Sequence, residues 1–226
     1  FFSVRTRYLF LLLLLIPSFS IGQPLTGANT LWNGNYDADF SEISNWNNGV
    51  PDASTFTIAT VDYNPNASFP NPEISESLII GQLRTGKNGT SSDTVTVTLK
   101  TGSALTATEI KSGYSLEIHT SNSNGTLVVD GGEHVTTGQV IVSSLQGNNN
   151  PNAAFGTMVM NDGSLTIGGG SDSSGGNGLL VGQIQSTNSS GNSTGSFTLN
   201  GGSLSVGGNS FVGYHGGNGA SGTATG

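Results

Sequence analysis

From residue 78 to the end, the chain is written in short runs in which apolar residues alternate with Ser, Thr and Asn. One kind of run carries its apolar residues two apart: Val95 and Val97, Leu127 and Val129, Met158 and Met160, Phe197 and Leu199. A second kind follows a glycine turn, with Ala104, then Val135, then Leu165 and Ile167, then Leu204 and Val206 as its apolar positions. A third is an aliphatic stretch, at residues 78–81, 115–118, 140–142, 179–182 and 211–213. A period of two places successive side chains on opposite faces of an extended strand, so each alternating run has one apolar face and one hydroxyl- or amide-bearing face. No stretch with a helical period occurs beyond the first 16 residues. The pattern predicts three short strands per unit and little helix.

The units are degenerate copies of one another. The clearest reads Gly195-Ser-Phe-Thr-Leu-Asn-Gly-Gly-Ser-Leu-Ser-Val-Gly, and earlier ones read Gly156-Thr-Met-Val-Met-Asn-Asp-Gly-Ser-Leu-Thr-Ile-Gly and Gly125-Thr-Leu-Val-Val-Asp-Gly-Gly-Glu-His-Val-Thr-Thr-Gly. A fainter copy starts at Asp93. Gly102, Gly132, Gly163 and Gly202 mark the register, at spacings of 30, 31 and 39 residues. The preceding turns, Asp130-Gly-Gly, Asn161-Asp-Gly and Asn200-Gly-Gly, use the residue types that accept positive φ at low cost. A strand repeat of this length is one coil of a solenoid, in which each unit buries its apolar face only against its neighbours. An antiparallel sandwich also has short strands at regular spacing, but its strands are not copies. A disordered Gly/Ser-rich tail lacks sustained alternation. The expected fold class is all-β, a parallel β-helix (β-solenoid) with about four coils visible. Asn/Ser/Gly-rich inserts at 147–152, 168–178 and 186–195 are expected to project from one corner.

The first residues have a different character. Arg5 and Arg7 precede an apolar run at 9–16, then Pro17 and the small residues of Ser18-Phe-Ser-Ile-Gly. The run is shorter than the roughly 20 residues that cross a bilayer, so residues 1–22 are expected to be a cleaved secretory signal. No cysteine follows to receive a lipid. Residues 23–77 hold both tryptophans and Pro51, Pro65, Pro70 and Pro72 but no repeat. A solenoid needs such a special first unit to cover the apolar face and strand edges of its first coil. Trp32 and Trp46 are therefore expected in an N-terminal cap, with a sugar-stacking platform as the competing role. Residues 78–226 form the repeats. The chain starts at Phe1 rather than Met and stops at Gly226 as another copy begins, so truncation at both ends is expected.

Charge and cysteine content narrow the partners. The formal net charge is −8, and removal of Arg5 and Arg7 leaves four basic residues against 14 acidic ones. So few cations release few phosphate counterions, which disfavours nucleic acid and, equally, anionic membrane surfaces. The acidity favours solubility. There is no cysteine, unlike many exported eukaryotic domains, which fits a bacterial exported chain held by backbone hydrogen-bond ladders. Sequons at Asn66, Asn88, Asn124, Asn188 and Asn192 are expected by chance in a chain so rich in Asn, Ser and Thr.

The pairing Trp32-Asn-Gly with Asn45-Trp-Asn-Asn-Gly-Val-Pro51, followed by units such as Gly195-Ser-Phe-Thr-Leu-Asn-Gly-Gly-Ser-Leu-Ser-Val, resembles bacterial exported proteins with autotransporter-associated β-strand repeats. These often end in a PEP-CTERM sorting signal. The likeness covers nearly the whole chain after the leader. It implies a right-handed parallel β-helix at the cell surface, usually without an assigned activity. Neither a sorting signal nor a membrane barrel occurs in this sequence, so the mode of anchoring stays open.

Candidate chemistry is sparse. Among β-helix proteins, pectate lyases use clustered Asp ligands for calcium and an Arg base, but Arg84, the only arginine after the leader, stands alone in the sequence. Glycoside hydrolysis needs two carboxylates at a defined separation. Asp130, Glu133 and Asp162 instead occupy turn positions, where Asp has a structural reason to be. His119, His134 and His215 lack metal-ligand spacing and are read as isolated, with His134 and His215 solvated. No nucleophile elbow occurs. Gly168-Gly-Gly-Ser-Asp172 touches on a calcium-binding nonapeptide but lacks the glycine before Asp and does not recur. No catalytic, cofactor-binding or metal residue is assigned; stacked Asp/Asn turns allow at most loose calcium binding. Trp32 and Trp46 are the glycan-contact candidates. The expectation is an exported structural or adhesive surface protein, contacting extracellular polysaccharide or neighbouring cells, with no catalytic activity in these residues. The alternative is a pectate-lyase-like protein that degrades or binds polysaccharide, its site on the loops or beyond residue 226.

Overall fold

A computed structural model of the chain describes residues 29–52, 54, 58–62, 64, 66–86, 94–108, 114–120, 124–145, 153–169, 177–185, 190–215 and 223–226. The expected signal, residues 1–22, lies outside them. Two strands precede the repeats, β1 (Asn29–Leu31) and β2 (Ile58–Val61). The first coil is β3 (Glu73–Ile74), β4 (Ser77–Ile80) and β5 (Gln82–Thr85). The second is β6 (Thr94–Leu99), β7 (Ala104–Ala107) and β8 (Tyr114–Thr120). The third is β9 (Asn124–Val129), β10 (Glu133–Thr136) and β11 (Gln139–Leu145). The fourth is β12 (Ala154–Met160), β13 (Ser164–Ile167) and β14 (Asn177–Ile184). The fifth is β15 (Ser193–Leu199), β16 (Ser203–Val206) and β17 (Asn209–His215), and β18 (Ala224–Thr225) begins another turn.

Equivalent strands of successive coils pair in parallel, which makes three sheets. A six-stranded sheet runs β3-β6-β9-β12-β15-β18, a five-stranded sheet β4-β7-β10-β13-β16, and a seven-stranded sheet β1-β2-β5-β8-β11-β14-β17. This is a parallel β-solenoid, with five coils where the repeat suggested about four. The fifth is the coil of β3, β4 and β5, whose sequence is too short and too irregular to read as a copy. The aliphatic run at 78–81 belongs to β4 and pairs with the turn-following strand β7 (Leu78 opposite Leu105). Its sequence groups it with the runs at 115–118 and 140–142, but β5 fills that place, with Leu83 opposite Leu116.

The core is a stack of like residues. Val95, Val97 and Leu99 lie under Leu127 and Val129, then Met158 and Met160, all buried. In the five-stranded sheet the expected inward positions shift by one residue in two coils. Leu105 and Ala107, not Ala104, face the core, and in β10 His134 and Thr136 do so while Val135 is 43% exposed. In β7 an extra residue, Ser103, follows the turn glycine and carries the strand round; its Oγ donates to the Lys100 carbonyl at 2.7 Å. In β10 the alternation was ambiguous because the inward pair is polar.

Two places in the coil require special backbone. The turn glycines Gly102, Gly132, Gly163 and Gly202 all have positive φ, between 79° and 87°, as the Asn/Asp-Gly turns predicted. The second place is a bend inside the seven-stranded sheet that was not foreseen. Gly86, Ser143, Gly182 and Gly213, at φ 74°, 69°, 69° and 69°, occupy the same register position, since Val142 pairs with Val181 and Val181 with Val212. Each strand turns a corner there, and a small second core of Leu145, Ala154 and Ile184 packs beyond it. The glycine that opens each repeat copy sits against this bend. A Cβ on Gly156 would lie 2.5 Å from the Ser143 nitrogen and 2.6 Å from the Ile118 oxygen.

The segment before the repeats closes one end of the core. Trp32, Phe40 and Trp46 form an aromatic cluster with centroid separations of 4.7–6.1 Å and two edge-to-face contacts. The two Trp-Asn motifs meet as an antiparallel bridge between Trp32 and Trp46. Asn45, fully buried, holds the loop around them: its Oδ1 accepts from the Tyr36 N–H at 2.9 Å and its Nδ2 donates to Asp37 Oδ1 at 2.8 Å.

Candidate functional site

The outer face of the six-stranded sheet is the place where the repeat presents chemistry to solvent. Its in-register pairing stacks like side chains in columns about 4.8 Å apart per rung. One column is Thr96, Thr126, Thr157 and Ser196, four hydroxyls on four successive coils. The column beside it is Thr94, Asn124, Phe155 and Thr194. Phe155 interrupts the polar series with a ring that is 41% exposed. Beside this ring lies a shallow cleft of about 380 Å³ lined by Thr94, Asn124, Gly125, Thr126, Phe155 and Thr157. Asn124 Oδ1 is shut off from solvent there and has no hydrogen-bond partner. No lining residue carries a charge.

The residues singled out in the sequence lie elsewhere. Trp32 and Trp46 are 1% and 5% exposed, and their indole N–H groups donate to the Phe69 and Phe40 carbonyls at 3.0 and 2.8 Å. Neither offers a free ring face to a sugar. Asp130 heads a side-chain ladder along the turns: Asn161 Nδ2 donates to Asp130 Oδ1, and Asn200 Nδ2 to Asn161 Oδ1, each at 2.9 Å. Asp162 Oδ1 accepts from the Gly163 N–H at 2.8 Å, and Glu133 points outward from β10. The structure therefore gives these carboxylates turn and surface positions and does not converge them. Among the described residues no group of three or more His, Asp or Glu could hold a metal ion. Asp172 and the side chain of His119 lie outside the described residues, and His215 is exposed at the end of β17.

Two of the sequence readings are corrected. Arg84 is not alone, because its Nε lies 3.1 Å from Oε2 of the buried Glu117 on the adjacent strand. His134 is not solvated. It is 2% exposed and replaces a core leucine, between Leu105 and Leu165 in the inward stack. Its Nδ1 accepts from the Leu105 N–H at 3.1 Å, so Nε2 carries the proton and donates to the Gly131 carbonyl at 2.8 Å. Burial pushes its pKa below the usual imidazole value, and the Gly131 contact opposes that shift only in part.

The repeat copy begins at Gly156 and the insert ends at 152, so Phe155 falls in neither by sequence. Its signal was available: it lies two residues before Thr157 on the same outward face, at a position that other coils fill with Thr or Asn. The fold and this face define a class, a parallel β-solenoid with a hydroxyl-lined outer sheet. Comparison of the chain with protein-family models, with curated proteins and with solved structures finds no match in any of the three. Among the described residues no helix is long and apolar enough to cross a membrane.

Proposed function

We propose that this chain is an exported structural or adhesive β-solenoid of the bacterial cell surface, of the kind that carries autotransporter-associated repeats. The observation that carries this reading is one column of the outer face, on which Thr96, Thr126, Thr157 and Ser196 repeat one hydroxyl per coil over four successive coils. A repeated array of weak donors and acceptors suits multivalent contact with a repeating polymer, where linked sites add avidity without any single strong contact. The basic and apolar start of the sequence supports export, and the net charge of −8 supports solubility outside the cell.

Two experiments test the two halves of this reading. Residues 1–28 fused to a reporter active only outside the cytoplasm should confer export in a bacterial host, and a reporter retained in the cytoplasm contradicts it. Beads coated with the protein should adhere to immobilised extracellular polysaccharide more than beads coated with an acidic globular control. Equal adhesion of the two sinks the adhesive role.

A further inference from the structure

We propose that the cleft beside Phe155 is a binding site for a neutral hexose polymer, with Phe155 as the stacking ring and Asn124, Thr126 and Thr157 as its polar contacts. This rests on the adhesive reading above and names its ligand and its place. The first support is the combination of groups. An exposed aromatic ring next to hydroxyls matches a pyranose, which has an apolar C–H face and a rim of hydroxyls. The cleft, at about 380 Å³, falls within the usual range of ligand-sized sites, about 300–1,000 Å³.

The second support is the orphaned oxygen. Buried polar atoms are almost always hydrogen-bonded, and an exception asks for a reason. Asn124 Oδ1 has no partner, and Asn124 lines the cleft, so a rotation of the amide that brings this oxygen to the cleft lets a sugar hydroxyl supply the partner that the folded chain does not. The third support is the direction of repetition. Thr126 and Thr157 face solvent on adjacent coils, about 4.8 Å apart, so a polymer lying along the solenoid axis meets the same hydroxyl again on the next rung. The fourth is charge. No cleft residue is ionised, and a chain of net charge −8 repels uronic-acid polymers at long range, which selects a neutral polysaccharide over an acidic one.

The test is an amide-resonance titration of the full chain with cellohexaose, laminarihexaose and mannohexaose, with hexagalacturonate as the charged probe. At least one neutral hexasaccharide should shift the amides of 124–126 and 155–157. Phe155→Ala should weaken that binding about tenfold or more, and Thr157→Val, which keeps the side-chain shape, should weaken it less. Phe155 is on the surface, so its variant should keep the dispersed spectrum of the folded chain. Shifts confined to other residues, no shift with any neutral probe, binding unchanged in Phe155→Ala, or equal binding of hexagalacturonate each overturns the proposal. Shifts at these amides that depend on protein concentration alone, without sugar, also overturn it in favour of self-association. The bead assay separates the two levels. Beads that adhere while the cleft stays silent refute the cleft and leave the adhesive reading, and a responsive cleft on beads that do not adhere does the reverse.

Discussion

Gly163 carries two constraints at once, and the first of them, a positive φ, is shared by Gly102, Gly132 and Gly202. Its φ is 85°, a conformation that costs a residue with a Cβ roughly 1–2 kcal/mol. It also stacks on the preceding coil, where an added Cβ would lie 2.6 Å from the Gly131 carbonyl carbon. Gly102 has the same φ but faces open space, because no equivalent turn lies beneath it. Gly102→Ala should therefore cost about 1–2 kcal/mol, and Gly163→Ala clearly more. Thermal unfolding of the two variants reads the difference, and equal losses would contradict the stacking. His134 gives the matching prediction for pH. Its pKa is lowered in the fold relative to about 6.5 in the unfolded chain. Below about 6.5 the unfolded chain takes up a proton that the folded chain refuses, so stability is full above that pH and falls as the pH drops through it. Protonation of Nδ1 also destroys the acceptor for the Leu105 N–H. His134→Leu should remove this part of the slope in denaturant unfolding between pH 5 and 8. A variant that keeps the wild-type slope would assign it to other groups.

At the scale of the element, the bend in the seven-stranded sheet is the feature that the sequence hid. The alternating strands of the six-stranded sheet were legible because Val, Leu, Met and Phe recur every second residue, and the turns were legible because Asn/Asp-Gly pairs recur with them. The bend was not, because one of its residues is Ser143 rather than glycine, and because the strands holding it read only as undivided aliphatic runs. A non-glycine residue at φ 69° is retained here through a buried contact, Ser143 Oγ to Ser193 Oγ at 2.9 Å. Ser143→Gly relieves roughly 1–2 kcal/mol of backbone cost and gives up a hydrogen bond of about 0.5–1.5 kcal/mol, leaving Ser193 unpaired. That variant should sit within about 1 kcal/mol of the parent. Adding Ser193→Ala should then stabilise it, whereas Ser193→Ala alone should destabilise. Chemical denaturation of the three variants checks the order, and a destabilised double variant would contradict it. The candidate site was less legible than the strands. The columns of the outer face follow from register, which alternation implies, but the cleft depends on one aromatic outside the repeat copies and on an unpaired amide oxygen that only coordinates reveal.

For the molecule as a whole, the two ends of the described solenoid differ. The aromatic cluster of Trp32, Phe40 and Trp46 covers the core at the first coil. At the fifth coil the inward Phe197, Leu204 and Val206 are only half-buried, because among the described residues only β18 packs beyond them. Between these ends every coil contributes the same three strands in the same order, so stability should be carried by contacts between nearest neighbours, as in other repeat folds. This regularity joins fold to proposed function, since a column of hydroxyls exists only if like residues stand in register from coil to coil. Spin labels at Thr96→Cys and Ser196→Cys test it most directly, since the chain has no native cysteine to interfere. The two positions lie three rungs apart in one column, which places their backbones about 14 Å apart at the usual strand spacing. Dipolar broadening that corresponds to that separation is the predicted result. A distance far beyond it, as strands in separate or antiparallel sheets would give, would contradict the stacked register and the surface built on it.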